Sequence, residues 1–322
     1  MPLDPDVIAD RHRLRRKLSL WRVVGILGLI AAVVTAGLAT AGRTPFQASQ
    51  TQIARVAVTG VIAGDQRVTD LLKRVGEARN VSGVVVSINS PGGTTTGSEE
   101  LYRGIRDLAA KKPLVAFVDG TAASGGYIAA LGADRIVARE TSLVGSIGVL
   151  FQYPDLTRLL DTVGVKVESV KSSPLKAEPS PFNPTSPEAR EALQRVVSDT
   201  YDWFRTLVAD RRHLEGEDLA RVSDGRVFNG RQGIGLRLVD QLGTERDAVA
   251  WLEAERGVAR DLPIRDWRPR GERGYDLWTG AAAGADLVGL GDLAAQLRQA
   301  SSASREAALG GLLVLWRPSS GN

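Results

Sequence analysis

The 322-residue chain contains no cysteine and only two histidines. The lack of cysteine excludes disulfides, thiolate metal sites and a cysteine nucleophile. His12 and His213 are remote from each other in the sequence, and two isolated histidines cannot supply the usual ligands of a zinc site. The same shortage leaves a Ser-His-Asp triad without a suitable histidine, because His213 follows two arginines at the end of a charged helical pattern. We therefore expect neither a metal nor another cofactor.

Net positive charge is absent outside the N-terminal leader. The net charge is +4, and the arginines and the lysine of residues 1–43 account for all of it. The remainder is formally neutral, so the sequence has no basic footprint of the kind that binds nucleic acid. With 43% hydrophobic and 24% charged residues, the composition is that of a globular protein.

An uncharged apolar run covers residues 23–42, about the length that a helix needs to cross the hydrocarbon core of a bilayer. The basic residues before it predict that the N-terminus stays in the cytoplasm and that the rest of the chain lies outside. A cleavable signal peptide is the alternative, because residues 39–41 resemble a cleavage site. We favour an uncleaved anchor in the cytoplasmic membrane, since the run is longer than the roughly 7–15 apolar residues of a signal peptide.

Apolar runs with strand character alternate with helical patterns between residues 53 and 260. This order predicts an α/β domain with a largely parallel sheet, whose last strand in the series is expected over residues 165–170. The predicted organisation is a basic cytoplasmic leader over 1–22, a transmembrane anchor over 23–42, a linker over 43–52, the main domain over 53–260, and a C-terminal extension over 261–322 with an oligomer contact as its expected role.

One strand-to-helix turn is built from very small side chains. Residues 113–118 have the pattern of a buried strand, and the sequence TAASGG at 121–126 follows before an apolar helical segment begins. Ser124 is therefore placed where the N–H groups at the start of a helix are unpaired and can hold an oxyanion. A serine at such a junction is more often a helix cap than a nucleophile, so its role depends on the presence of a base.

Lysine remains as the candidate base. The chain has only seven lysines against 34 arginines. Arginine stays protonated, whereas a desolvated lysine can lose its proton once its pKa falls from ~10.4 to ~7.5, a change of about 4 kcal/mol. Lys166, Lys171 and Lys176 cluster around the predicted last strand and a proline-rich loop. Lys176 is favoured because its neighbours are apolar, but the spacing leaves the other two open. Those neighbours are Pro174, Leu175, Ala177 and Pro179.

Five segments between about residues 56 and 243 resemble, in order and spacing, the signal peptide peptidase A family of bacterial Ser-Lys proteases. They are NSPGG at 89–93, GTAASGGY at 120–127, GSIGV at 145–149, KSSPLK at 171–176 and DGRVFNGRQ at 224–232. Each segment alone is a weak signal, but five in order are specific. One copy of the domain is present, as in the short form of the family.

The resemblance implies a crotonase-like, Clp-protease-like superhelix of β-α-β units and makes residues 53–260 a Ser-Lys peptidase domain. The implied site consists of the nucleophile Ser124, the general base Lys176, the oxyanion-hole residues Gly125 and either Gly92 or Gly93, and the lysine-orienting Ser146. Short-form members assemble into ring-like or dome-like homo-oligomers on the outer face of the cytoplasmic membrane, and in some the serine and the lysine come from adjacent subunits. The implied substrates are remnant signal peptides or misfolded exported polypeptides.

Two other functions and one departure from the family pattern accompany this hypothesis. An acyl-CoA hydratase or isomerase would share the fold, but it needs acidic catalytic residues, and only Glu99 and Glu100 lie near the second strand. A non-catalytic oligomeric membrane scaffold would need neither Ser124 nor Lys176.

The departure from the family pattern is the segment 233–235, GIG, which stands where helix-forming residues are expected and puts a local helix in doubt.

Overall fold

In the computed structural model, the described residues are 21, 22, 24, 25 and 50–269, together with the backbone of 313–315. The chain divides into two units, Met1–Thr51 and Gln52–Asn322. The predicted membrane span at 23–42 lies almost entirely outside the described residues. Within the part of the chain that the structure does describe, no helix is both long enough and apolar enough to cross a membrane.

The second unit contains alternating strands and helices. Its strands are β1 Gln52–Ile62, β2 Val81–Thr94, β3 Leu114–Ala123, β4 Arg135–Ala138, β5 Leu143–Gly145, β6 Val227–Asn229, β7 Gln241–Leu242, β8 Ile264–Trp267 and β9 Leu313–Leu315. Its helices are α1 Gln66–Glu77, α2 Thr95–Ala109, α3 Gly125–Leu131, α4 Thr157–Val163, α5 Pro187–Arg212, α6 Gly216–Val222, α7 Gly230–Gly235 and α8 Glu245–Glu255.

All these strands belong to one sheet with the order β6-β5-β3-β2-β1-β8, in which β4 pairs with β3 and β7, and β9 pairs with β2. Every pairing is parallel except those of β5 with β6 and of β2 with β9. The predicted α/β class with a largely parallel sheet is therefore confirmed. The sheet also contains β8, close to the end of the continuous described region, which pairs with β1.

The sheet is covered on both faces, as parallel sheets are. Consecutive residues of β2 point to opposite sides, so that Val84 and Val86 join the larger core cluster while Val85 joins a smaller one. Helices α1, α2, α3 and α5 contribute to the larger cluster, and α8 packs on the smaller one through Ala248 and Leu252. Burial of each such valine contributes about 1.5–3 kcal/mol, which is why β2 has almost no polar positions before Ser87.

The prediction of a strand over residues 165–170 is wrong. This segment has no regular structure, and Val165, Val167 and Val170 are all exposed. Alternation of valines is typical of a half-buried strand, but a strand also needs a neighbour to accept its backbone hydrogen bonds. In the described part of the chain, residues 165–170 pair with no other strand.

The doubt about a helix at 233–235 is also wrong. Helix α7 begins with a capping box, in which Asn229 and Gln232 each accept a hydrogen bond from the backbone N–H of the other. A Cβ at Gly233 would lie 2.9 Å from the Cγ2 atom of Val239 and 3.1 Å from that of Val144. The glycine therefore lowers helix propensity but permits close packing of α7 against β5, and the packing decides the outcome.

Candidate active site

Ser124 lies between the end of β3 and the start of α3, as the sequence predicts. Its side chain is buried, with 1% of its surface exposed. Its backbone has φ 54° and ψ −117°, a combination that residues other than glycine rarely adopt. Such a conformation costs about 1–3 kcal/mol and persists only where the surrounding structure enforces it.

The backbone of Ser124 is held from both sides. Its N–H donates to the carbonyl oxygen of Gly145 at 2.8 Å, and its carbonyl oxygen accepts from the N–H groups of Tyr127 and Ile128 at 2.9 and 3.0 Å. The side chain makes no capping hydrogen bond to α3. Ser124 therefore occupies the N-cap position of α3, but its hydroxyl caps no backbone N–H at the start of the helix.

Two glycines follow the serine for different physical reasons. Gly125 is the first residue of α3, so its N–H has no acceptor within the helix. A Cβ at Gly126 would lie 2.6 Å from the carbonyl oxygen of Ser90. The small residue at 126 therefore lets the end of β2 lie directly against the serine turn.

The end of β2 is organised by Ser90, which is fully buried. Its Oγ donates to the carbonyl oxygen of Gly60 at 2.7 Å and accepts from the N–H of Gly92 at 3.1 Å. Gly92 has φ 106°, which favours glycine, and a Cβ at Gly93 would lie 1.8 Å from the carbonyl oxygen of Ile62. The N–H of Gly92 is thus already bonded within the chain.

Ser90 organises this part of the site region, and our sequence analysis did not single it out. The sequence does contain a signal for this role: a serine stands directly before Pro-Gly-Gly at the end of a buried strand. Buried backbone N–H groups of such glycines need a hydrogen-bond acceptor, which the serine hydroxyl can supply.

An extended segment from elsewhere in the chain lies at this edge of β2. The backbone of β9 pairs antiparallel with Gly92–Thr94, in the register Gly92↔Leu315, Gly93↔Val314 and Thr94↔Leu313. The edge next to the candidate oxyanion glycines therefore accepts an extended peptide by strand addition.

Ser146 lies close to Ser124 through strand pairing. Ala123 of β3 is opposite Gly145 of β5, so the residues that follow them, Ser124 and Ser146, leave the sheet side by side. Ser146 has φ 52°, is 8% exposed, and donates its N–H to the carbonyl oxygen of Arg226 at 2.8 Å. Both serines at this edge are thus held in left-handed backbone conformations by hydrogen bonds from neighbouring segments.

Lys176 does not join this group within the single chain. It lies on the loop between α4 and α5, where it is exposed, and it forms no hydrogen bond with Ser124 or Ser146 in the described structure. Its neighbours Pro174, Leu175 and Ala177 are exposed as well. The expected apolar surroundings of the lysine are therefore absent within one chain, because the loop projects into solvent.

The other ionisable candidates have structural roles. His213 is exposed and ends α5 with φ 52°. Glu99 pairs with Arg103 at 2.5 Å on the surface of α2, and Glu100 accepts from the hydroxyl of Thr69 at 2.7 Å. Both glutamates lie on a helix surface and are paired with other side chains there. They therefore give no support for acid–base chemistry of the hydratase type.

The deepest tyrosine of the region is likewise structural. The hydroxyl of Tyr127 donates to the carbonyl oxygen of Leu238 at 2.9 Å, and burial raises the pKa of this phenol well above its usual value. Tyr127 therefore stays neutral and anchors α3 to the loop after α7.

Taken together, these positions suit nucleophilic attack on a carbonyl. A buried serine hydroxyl that caps nothing stands beside the N–H of Gly125, and a second glycine-rich strand end lies across from it. Chemistry of this kind needs a nucleophile, donors for the oxyanion and a base.

Comparison with known proteins gives a consistent result. A family model described as peptidase family S49 matches residues 106–259. A Synechocystis protein that bears the name of a protease is 40% identical over 220 residues, which cover 67% of this chain and 79% of that protein. An Enterococcus faecium protein with the name of signal peptide peptidase SppA is 34% identical over 225 residues, or 65% of each chain.

Protease 4 of Salmonella typhi is 37% identical over 171 residues, which are 53% of this chain but only 28% of that protein. The present chain thus spans less than two thirds of the length of the last two relatives. The region that the family model matches, residues 106–259, contains Ser124, Ser146 and Lys176, and the likeness to proteases agrees with a site that suits nucleophilic attack on a carbonyl. The chain belongs to peptidase family S49 and is a serine peptidase.

Proposed function

We propose that Ser124 is the nucleophile and Lys176 the general base of a membrane-anchored endopeptidase. The observation that carries this proposal is the strained, buried and non-capping Ser124 beside the unpaired N–H of Gly125. Strain held at one residue by surrounding hydrogen bonds is a known feature of functional sites.

In this mechanism, the Lys176 amine removes the proton of the Ser124 hydroxyl while Oγ attacks the carbonyl carbon of a peptide bond. The N–H of Gly125 and a glycine N–H at the end of β2 stabilise the oxyanion. The second donor is proposed to be the N–H of Gly92 or Gly93; in the single chain the N–H of Gly92 is bonded to Ser90, and Gly93 pairs with Val314 of β9. The protonated lysine then gives its proton to the leaving amine, and a water molecule that the lysine activates hydrolyses the acyl-enzyme. Ser146 is proposed to orient the amine.

The proposed substrates are apolar peptides, such as remnant signal peptides or other exported polypeptides. Two observations support this class. The strand edge at Gly92–Thr94 already accepts an extended segment with the apolar sequence Leu-Val-Leu. The turn around Ser124 has only small side chains, which leaves room for a substrate backbone to come close.

The proposed partner is a second copy of this chain. The segment 150–182 around Lys176 exposes many large apolar side chains, which a monomer in water rarely leaves uncovered. They are Leu150, Leu159, Val163, Val165, Val167, Val170, Leu175 and Phe182. We propose that they pack against a neighbouring subunit, where Lys176 meets the Ser124 of that neighbour. The contact would also desolvate the lysine, and removal from water favours the uncharged form of an amine.

The proposed location is the outer face of the cytoplasmic membrane. The apolar run at 23–42 with its basic flank supports a single-pass anchor with the N-terminus inside and the catalytic domain outside. The formally neutral remainder of the chain supports a peptide rather than a nucleic acid as the ligand.

The testing experiment mixes two inactive variants, Ser124→Ala and Lys176→Ala, and assays a fluorogenic apolar peptide after subunit exchange. The single variants are expected to lose at least about a thousandfold of the activity, since triad-like residues act as a unit. Recovered activity in the mixture supports a dyad shared between subunits. If exchange is verified and the mixture stays inactive, the shared dyad is wrong. If either single variant retains wild-type turnover, the Ser124–Lys176 assignment itself fails.

A further inference from the structure

The loop that carries Lys176 contains a second lysine in a very different environment. Lys171 forms an ion pair with Glu178, and their side chains are only 20% and 13% exposed. The second carboxylate oxygen of Glu178 accepts from the N–H of Ser180 at 3.0 Å. Lys176 lies between the two partners in sequence and is exposed. The loop therefore holds one lysine in a shielded ion pair and presents the other.

The ion pair closes a tight turn. Within it, the N–H of Lys176 donates to the carbonyl oxygen of Ser173 at 3.1 Å, and the N–H of Glu178 donates to that of Leu175 at 3.2 Å. Ala177 has φ 61°, which costs an alanine roughly 1–2 kcal/mol. Because two backbone bonds alone are weak in an exposed loop, the Lys171–Glu178 pair adds a side-chain link that helps to hold this turn together.

The pair also controls the charge next to Lys176. Glu178 is the only carboxylate between residues 169 and 187, and it is two residues from Lys176. An opposite charge within about 4–6 Å favours a protonated amine and raises its pKa. The hydrogen bond from Lys171 holds the pKa of Glu178 below its usual value. The carboxylate is therefore paired with the amine of Lys171 and not with that of Lys176.

The stretches next to this turn carry other ionisable groups. The stretch before α4 packs against the loop, because the N–H of Leu156 donates to the carbonyl oxygen of Pro181 at 2.8 Å and the hydroxyls of Tyr153 and Thr185 are 3.0 Å apart. Among the described residues, none of the ionisable groups on these neighbouring stretches forms an ion pair or hydrogen bond with Lys176. Those groups are Tyr153, Asp155, Arg158, Asp161, Lys166 and Glu168.

We propose that Lys171 and Glu178 are positioning residues for the general base: their ion pair orients the turn that presents Lys176 and keeps the Glu178 carboxylate from pairing with the Lys176 amine. The inference rests on the proposed role of Lys176. Neither residue is expected to touch the substrate. Both act through Lys176, so the pH at which activity appears should report their effect.

The test measures kcat/KM against pH for the full-length wild type and for Lys171→Met, Glu178→Gln and the double variant. A base must be unprotonated to work, so a carboxylate that pairs with the general base and favours its protonated form moves the acidic limb of the profile to higher pH. Lys171→Met frees Glu178 to pair with Lys176, and we expect the limb to move up by about one unit. Activity at the old midpoint then falls several-fold and recovers in alkaline buffer. Glu178→Gln should move the limb in the opposite direction.

The double variant removes both charges and should return the limb to the wild-type position, even if a looser turn lowers kcat. Lys171→Arg keeps the ion pair and should leave the limb in place. Arg103→Met, which breaks an ion pair on α2, is the matched control and should change nothing. A limb that stays fixed in both single variants, with or without loss of kcat, overturns the inference. If Lys171→Met fails to fold, the downward shift in Glu178→Gln decides the question.

The two proposals fail in different ways. If Lys176→Ala is inactive at every pH but the limb does not move in the other variants, only the positioning role is wrong. If Lys176→Ala keeps wild-type activity, the base is another residue and both proposals fail.

Discussion

The N–H of Ser124 donates to the carbonyl oxygen of Gly145 at 2.8 Å. This bond joins the end of β3 to the end of β5, just after the last residue pair of the two strands. Because the serine backbone is anchored to a neighbouring strand on one side and to α3 on the other, its φ of 54° is imposed by backbone hydrogen bonds and not by the side chain. The geometry of the turn should therefore survive removal of the hydroxyl.

Ser124→Gly and Ser124→Ala are both expected to abolish peptidase activity, but they should differ in stability. Alanine keeps the strained positive φ, whereas glycine relieves it, so the glycine variant should unfold at a temperature several degrees higher than the alanine variant. Ala123→Gly, one residue earlier in an ordinary strand conformation, is the control and should lower stability. Thermal unfolding of the purified variants measures this. Equal melting temperatures for the two Ser124 variants would show that the backbone there is not strained.

Gly126→Ala is expected to destabilise the fold and to remove most of the activity. Its Cβ would lie 2.6 Å from the carbonyl oxygen of Ser90, a backbone atom that cannot rotate away. Overpacking of this kind costs about 1–3 kcal/mol, and the end of β2 must shift away from Ser124. Gly235→Ala is the matched control, because a Cβ there meets no atom within 4 Å and α7 should gain stability.

Denaturant unfolding together with kcat measurements distinguishes these two glycines. A Gly126→Ala variant with wild-type stability and turnover would contradict the close contact between β2 and the serine turn.

The N-terminus of α8 should make stability depend on pH through Asp247. Hydrogen bonds from the N–H and the hydroxyl of Thr244 lower the pKa of this carboxyl. A lowered folded-state pKa means that the stabilisation is present above the unfolded pKa of about 3.9 and is lost as the pH falls through the folded value. Asp247→Asn should thus melt earlier than wild type at pH 7, and the difference should shrink below about pH 4. A constant difference in melting temperature across this pH range would refute the assignment.

The serine turn could be predicted from sequence because its determinants are local. A buried apolar strand, a run of small residues and an apolar helix lie within about twenty positions, and each has a clear pattern. The long helix α5 was predictable for the same reason, since Ser186 accepts from the N–H of Ala189 and Pro187 is its first residue. Neither case depends on which distant segment packs nearby.

The strained φ of Ser124, the role of Ser90 and the environment of Lys176 were not predictable in this way. The first depends on Gly145, which is 21 positions away, and the second on Gly60, which is 30 away. The apolar neighbours of Lys176 suggested burial, but hydrophobic residues close in sequence bury a lysine only if another surface covers them. The valines of 165–170 failed as a strand prediction for the same reason.

The exposed position of Lys176 has a consequence for how the activity could be switched on. In the proposed arrangement a solitary chain holds a nucleophile without its base, so it is a precursor that needs no cleavable pro-segment. Dilution would keep the enzyme inactive, and a high density of chains in the plane of a membrane would activate it. Activity per molecule should then rise with surface density until every serine has met a lysine from its neighbour.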